Sequence, residues 1–244
     1  MAAAPRFFVE AACAPGVEIE LAPDDAHHAA GVLRLTAGER VVLIDASGPW
    51  TAQLTSATKH AVRARVMDAA AEDSGELPVD LTVLQALVKG AKFDEVVEKT
   101  VELGARCIVP VQFARSLHDA AEQRVDRWRR IAKSAAQQAR RRVLPVVEAP
   151  REWSEVMPST ARAMPLIVAW EHAASGSLAG VCERIGSSTK VAIAVGPEGG
   201  LSAKEVEEVE AAGCILVSLG PTILRTETAA AVLIAALASA CGWW

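Results

Sequence analysis

The sequence has no cysteine pair at CxxC spacing, no apolar run of membrane-spanning length and no glycine-rich phosphate signature. Each absence removes a class of function. The five cysteines, Cys13, Cys107, Cys182, Cys214 and Cys241, are dispersed and odd in number. Such a set reads as reduced thiols in a cytosolic protein rather than a disulfide framework or a metal centre. The adjacent His27 and His28 cannot both face one ion on a regular element, and no acid or thiol completes a ligand set, so no metal is expected. The most apolar segment, 229–244, is alanine-rich and shorter than the roughly 20 residues a span requires. A buried helix, in the core or at a subunit contact, is expected there. Arg6 interrupts a short alanine-rich start, so no secretory leader is expected and the chain reads as soluble and cytoplasmic. No serine, cysteine or histidine stands in a recognisable nucleophile setting, which leaves covalent catalysis without support.

What is present is a long, apolar chain. With 244 residues, 51% of them hydrophobic, it can bury a core for one large domain or two modest ones. The net charge of −5 taken alone argues against nucleic acid, but the distribution does not. Between Arg106 and Arg151 bases outnumber acids, with Arg115, Arg124, Arg127, Arg129, Arg130, Lys133, Arg140, Arg141 and Arg142, while acids gather at Glu72, Asp73, Glu76 and 205–210. A local basic surface, not the global sum, governs phosphate binding. Few acids lie within four residues of these arginines, so phosphate contact explains them better than a solvated helix face.

Residues 1–72 read as β-rich, with alternating segments at 17–21, 40–45 and 61–66 separated by turn signals. Short strands at that spacing predict a small barrel. A short helical turn is expected around His28, after Pro23. Residues 73–78 are small and polar and read as a linker. From Val79 to Trp244, strands and helices alternate: a strand over 80–88, a helix through Phe93, Val96, Val97 and Val101 that ends near Gly104, a strand at 107–111, a longer helix through Val125, Trp128 and Ile131, a strand at 166–170, and a helix at 177–185. That pattern predicts an α/β domain, a mainly parallel sheet with helices on both faces.

Two strand ends stand out. VAIAV (191–195) runs into GPEGG (196–200), and LVSLG (216–220) runs into ILRTETA (223–229). Two such turns at one sheet edge form the place where open α/β proteins bind ligands. GPEGG has neither GxGxxG spacing nor a following GK[ST], which argues against a dinucleotide or phosphate cradle. Ser202 and Glu205 form a capping box, so a helix begins just beyond Gly200 with its positive end toward the turn. Residues 225–228 admit a plain reading as a threonine-capped helix start, yet a cation there is mildly unfavourable. Arg225 therefore reads as functional.

Taken together, RFFV (6–9), His28 with VLR (32–34), KG (89–90), EKTVELG (98–104), AAQQ (135–138), GPEGG and SLGPTILRTETA (218–229) resemble the RsmE family of small-subunit ribosomal RNA methyltransferases, in order and over nearly the whole chain. GPEGG is shared more widely among knotted methyltransferases; SLGPTILRTETA is the more specific element. The resemblance implies a PUA-like RNA-binding β-barrel followed by a SPOUT domain with a trefoil knot. It also implies S-adenosylmethionine as methyl donor and a homodimer through the C-terminal helix region. The target it implies is N3 of a uridine in 16S rRNA, free or in the small ribosomal subunit; the nearest alternatives are another RNA site, such as a ribose hydroxyl or a transfer-RNA base, and an inactive RNA-binding assembly factor. By the same resemblance the donor is held by Gly196, Pro197, Glu198, Gly199, Gly200, Ser218, Leu219, Gly220, Ile223, Leu224, Arg225 and Thr226, with Leu166, Ala169 and Trp170 lining the pocket. Trp170-Glu171-His172 departs from the family's usual run. Arg225 is expected to stabilise charge on the uracil carbonyls or to orient the base, and Glu198, or else Glu227, to take the N3 proton. Arg6, His28, Arg34, Arg115, Arg127, Arg130, Arg140 and Arg141 are expected to contact RNA.

Overall fold

The computed structural model describes residues 4–58, 60–70, 75–116, 121–173 and 178–244, the side chains of 178 and 179 excepted. The chain forms two compact units, Met1–Glu76 with Ala136–Leu144, and Leu77–Ala135 with Pro145–Trp244.

The first unit is a five-stranded sheet in the order β1-β3-β4-β5-β2. Its strands are β1 (Arg6–Phe8), β2 (Glu18–Glu20), β3 (Arg40–Asp45), β4 (Gly48–Ala57) and β5 (Val62–Ala69). β1 pairs with β3 in parallel and the rest are antiparallel. Alternation along β5 puts Val62, Ala64 and Val66 inside and Arg63 and Arg65 outside, the signature of a sheet with one solvated face. Two register shifts between β4 and β5 bend the pair. Between β2 and β3, α1 (Pro23–His27) starts on a proline and passes into a π turn over His28–Val32. Phe7, Ile19, Leu43, Leu54 and Val66 are core residues of this unit.

The second unit holds a parallel sheet in the order β12-β10-β11-β6-β7-β8, with β9 beside β7. The strands are β6 (Asp80–Ala86), β7 (Cys107–Gln112), β8 (Val146–Val147), β9 (Arg151–Glu152), β10 (Leu166–Ala169), β11 (Lys190–Val195) and β12 (Ile215–Val217). The helices are α2 (Lys92–Glu102), α3 (Val125–Gln138, whose last three residues belong to the first unit), α4 (Trp153–Ala163), α5 (Leu178–Ile185), α6 (Ala203–Ala211) and α7 (Thr226–Ala240). β11 lies between β10 and β6 and is buried from Val191 to Val195, the continuous apolar run expected of a strand covered on both faces. Gly104, at φ +105, ends the α2 segment, where no β-carbon is tolerated cheaply. α7 is apolar all round and packs on α2, α5 and β11. No helix among the described residues is long and apolar enough to cross a membrane.

The expectation of five reduced thiols fails at one pair: Cys182 on α5 and Cys241 at the end of α7 form a disulfide, with Cα atoms 5.4 Å apart. The two are 59 residues apart in sequence, so only the packing of α7 against α5 brings them together, and spacing rules do not register it. Cys13, Cys107 and Cys214 are free. Burial pushes the Cys13 thiol up to about 11, with Asp45 adding to it, and the Cys107 thiol up to about 12, with Glu148 adding to it.

Candidate active site

The turn after β11 is held from several sides. Arg115, just beyond β7, donates through Nη1 to the carbonyls of Gly199 (2.9 Å) and Leu201 (3.1 Å). The capping box of α6 forms as the sequence predicts: Ser202 Oγ accepts from the Glu205 amide, and Glu205 Oε2 accepts from the Ser202 amide at 2.7 Å. The second oxygen of Glu205 accepts from the amide of Ala114 at 2.9 Å. A buried carboxylate is thus satisfied on both oxygens and ties the loop after β7 to the start of α6. Gly200 has φ +68, a backbone conformation that calls for glycine; a β-carbon there would lie 2.9 Å from Glu171 Oε1, the movable end of an exposed side chain.

The turn after β12 is built differently from the threonine-capped helix start. Arg225 occupies the N-cap position of α7 and makes no side-chain cap. Thr226, instead of capping, donates its hydroxyl to the carbonyl of Gly196 at 2.7 Å and accepts from Gln85 Nε2 at 3.0 Å. Gln85 lies in β6 and is fully buried. The C-terminal ends of β6 and β11 are therefore joined to the start of α7 through one hydroxyl.

Between these turns lies a cleft of about 310 Å³. Ala169, Trp170, Gly196, Pro197, Glu198, Gly200, Ser218, Leu219, Gly220, Ile223, Leu224, Arg225 and Thr226 all line it. Two expected residues do not. Gly199 turns away to Arg115. Leu166 is the first residue of β10, buried in the core, at the end of the strand remote from the cleft. A parallel strand presents only its C-terminal end to such a crevice. Sequence reasoning missed Glu171, which also lines the cleft, and Gln85, whose polar side chain in the apolar run of β6 was the available signal.

Charged side chains lining the cleft are Arg225, Glu198 and Glu171, all exposed. Glu198 is 3.3 Å from Lys92 Nζ, and Glu227 Oε1 is 3.8 Å from it. Lys92 carried no mark in the sequence.

The arginines expected to contact RNA divide. In the first unit, Arg34 and Arg140 are exposed at φ +55 and +57, Arg6 Nη1 donates to the carbonyl of Arg140 at 3.1 Å, and His28 is half-buried in the π turn. Arg141 is a correction. It is 1% exposed and its guanidinium meets Glu76 at 2.6 and 2.8 Å, so it is a structural ion pair out of reach of phosphate. In the second unit, Arg130 is exposed on α3 and Arg127 pairs with Asp94 at 2.6 Å while staying 61% exposed. Asp94 and Glu76 are remote in sequence from the arginines they pair with, so nothing close along the chain marks either pairing.

A parallel sheet whose strand ends enclose a cleft between two glycine turns, in a chain with a separate β unit, defines an α/β protein with a ligand-binding crevice. Residues 75–238 match the RNA methyltransferase domain family, and residues 21–67 match the RNA methyltransferase PUA domain. The chain belongs to the RNA methyltransferase family. It is 30% identical over 239 residues to ribosomal RNA small subunit methyltransferase E of Bacillus subtilis, covering 92% of each chain. It is 33% identical over 247 residues to the protein of that name from Mycobacterium tuberculosis, covering 98% of this chain and 92% of the relative. Among solved structures it is similar to ribosomal RNA small subunit methyltransferase E from Neisseria gonorrhoeae bound to S-adenosyl methionine, at 31% identity and TM-score 0.87, over 97% of this chain and 98% of that one.

Proposed function

We propose that this enzyme methylates N3 of a uridine in small-subunit ribosomal RNA, with S-adenosylmethionine as donor. The observation that carries the reading is the presence of a cation, Arg225, and a carboxylate, Glu198, on the lining of one cleft. The cleft's chemistry fits the donor. Apolar side chains of Leu219, Leu224 and Ala229 suit an adenosine, and the strand-end backbone of 218–224 provides polar edges. Glu171 and Glu198 complement a sulfonium's positive charge. When bound, S-adenosylmethionine supplies an electrophilic methyl group.

The residues of this chain then have three tasks. They hold the base in line with the methyl group, since alignment supplies much of the rate of an in-line displacement. Arg225 stabilises negative charge on a uracil carbonyl as N3 loses its proton. Glu198, directly or through water, accepts that proton; Glu227 does not line the cleft and is the poorer choice. The target base is turned out of its stack to arrive there.

Residues 1–72 serve as the RNA-binding part and 79–244 as the catalytic part, joined through 73–78, of which 73 and 74 lie outside the described residues. Arg6, His28 and Arg34 contact RNA from the first part, and Arg127, Arg130 and Arg140 from the second. A cytoplasmic homodimer through the apolar α7 region, with the trefoil threading that the resemblance implies, completes the reading. The test is the nucleoside formed on ribosomal RNA or small subunits from a strain lacking the enzyme. Mass spectrometry is expected to find 3-methyluridine; a ribose-methylated or other product overturns the assignment.

A further inference from the structure

Lys92 is the first residue of α2. A cation in a helix's first turn is disfavoured by the helix dipole, so its placement calls for a compensating interaction. Two carboxylates provide one: Glu198 of the GPEGG turn at 3.3 Å and Glu227 of the first turn of α7 at 3.8 Å. The three side chains come from three separate elements. They also differ in exposure: Glu198 is 43% exposed, Lys92 39% and Glu227 only 12%. Glu227 Oε2 is buried and has no hydrogen-bond partner among the described residues. Of the three, only Glu198 lines the cleft.

We propose that Lys92 is the positioning residue for the proton acceptor, with Glu227 anchoring the ammonium and the ammonium holding Glu198 at the cleft mouth. An exposed ion pair contributes little to stability, so its consequence lies in geometry. Glu198 follows a proline and precedes two glycines, and among the described residues its side chain has no other hydrogen-bond or ion-pair partner to fix it. The ammonium restricts the carboxylate to one side of the turn. It does so from α2, an element that the strand–turn–helix pattern of the site does not include. Misplacement by about 1 Å costs on the order of 100-fold in rate, so a modest tether has a large kinetic effect. This inference rests on the reading of Glu198 as proton acceptor.

The experiment uses the full chain with ribosomal RNA substrate and labelled S-adenosylmethionine, following kcat, KM for RNA, and donor Kd by calorimetry. Lys92→Gln is expected to lower kcat by about tenfold or more while KM and Kd stay within about threefold. Lys92→Arg restores most of the rate. In a Glu198→Gln background, Lys92→Gln is expected to have no further effect, because a residue acting through another is non-additive with it. A Lys92→Gln enzyme with wild-type kcat, or one whose loss multiplies with that of Glu198→Gln, overturns the proposal. Should Lys92→Gln melt early, Glu227→Gln carries the same comparison with the same outcomes. If Glu198→Gln alone leaves kcat unchanged, the acceptor reading falls and this inference with it. If Glu198→Gln is slow and Lys92→Gln is not, only the positioning role falls.

Discussion

The hydroxyl of Thr226 lies 2.7 Å from the carbonyl of Gly196 and joins the first residue of α7 to the first residue of the GPEGG turn. With Gln85 donating to the same oxygen at 3.0 Å, the chain Gln85 to Thr226 to Gly196 ties the ends of β6 and β11 to the start of α7 beside the cleft. Such a buried run of hydrogen bonds is costly to break because each freed group stays dry. Thr226→Val keeps the shape and removes both bonds. Urea unfolding is expected to show a loss of about 1–3 kcal/mol, and calorimetry a weaker donor affinity.

Arg225 is exposed, makes no cap and lines the cleft, so little of the fold depends on its side chain. Arg225→Ala is expected to leave the melting temperature and donor Kd nearly unchanged and to lower kcat by about 100-fold or more, the scale of one lost charge-stabilising group. Unchanged turnover would remove Arg225 from the mechanism.

Arg141 and Arg140 are adjacent and are expected to behave oppositely. Arg141→Met leaves the Glu76 carboxylate without its buried guanidinium, at a cost of about 3–5 kcal/mol, measured by denaturant unfolding. Arg140→Ala leaves stability within about 0.5 kcal/mol. It weakens RNA binding and reduces its salt dependence if the exposed side chain contacts a phosphate.

The Cys182–Cys241 bond closes a loop that contains both cleft turns, with its ends 59 residues apart. Chain-entropy arguments put such a cross-link at about 4 kcal/mol. Treatment with dithiothreitol, or Cys241→Ser, is expected to lower the melting temperature by several degrees. At neutral pH the folded protein's free thiols should react slowly with alkylating reagents, because burial holds Cys13 and Cys107 far above that range.

Asp45 gives the first unit an acid sensitivity. Burial opposes its ionisation, but hydrogen bonds from the Cys13 and Ser47 amides, the Ser47 hydroxyl and the Trp50 indole outweigh it and bring its pKa down to about 2 from 3.8. A carboxyl whose folded value is depressed stabilises the fold above the unfolded value and loses that contribution as pH falls through the folded one. Stability measured by urea between pH 4 and pH 2 is expected to fall, and Asp45→Asn to flatten that slope.

Much of this molecule was legible in the chain. Period-two alternation marked β5, and the continuous apolar run marked β11. The serine–glutamate spacing announced the cap of α6, because a capping box closes within three residues and needs no partner elsewhere. The two glycine turns were local too. β4 and α4 went unremarked, β4 because its mixed polar run lacks a clean period and α4 because Pro158 interrupts its helical pattern.

By itself, then, the sequence determined the elements whose cause lies within a turn or two of chain: the strands with a clean period or a continuous apolar run, the capped start of α6 and the glycine turns that carry the cleft. Only the tertiary structure decided which residues far apart in sequence meet. It put Arg141 against Glu76, Cys182 against Cys241, Thr226 between Gln85 and Gly196, and Lys92 between two carboxylates. The physical reason is range. Hydrogen-bonding and rotamer preferences act locally and leave a pattern in the chain, whereas burial and charge pairing act through space and depend on which surfaces the packed sheet brings together.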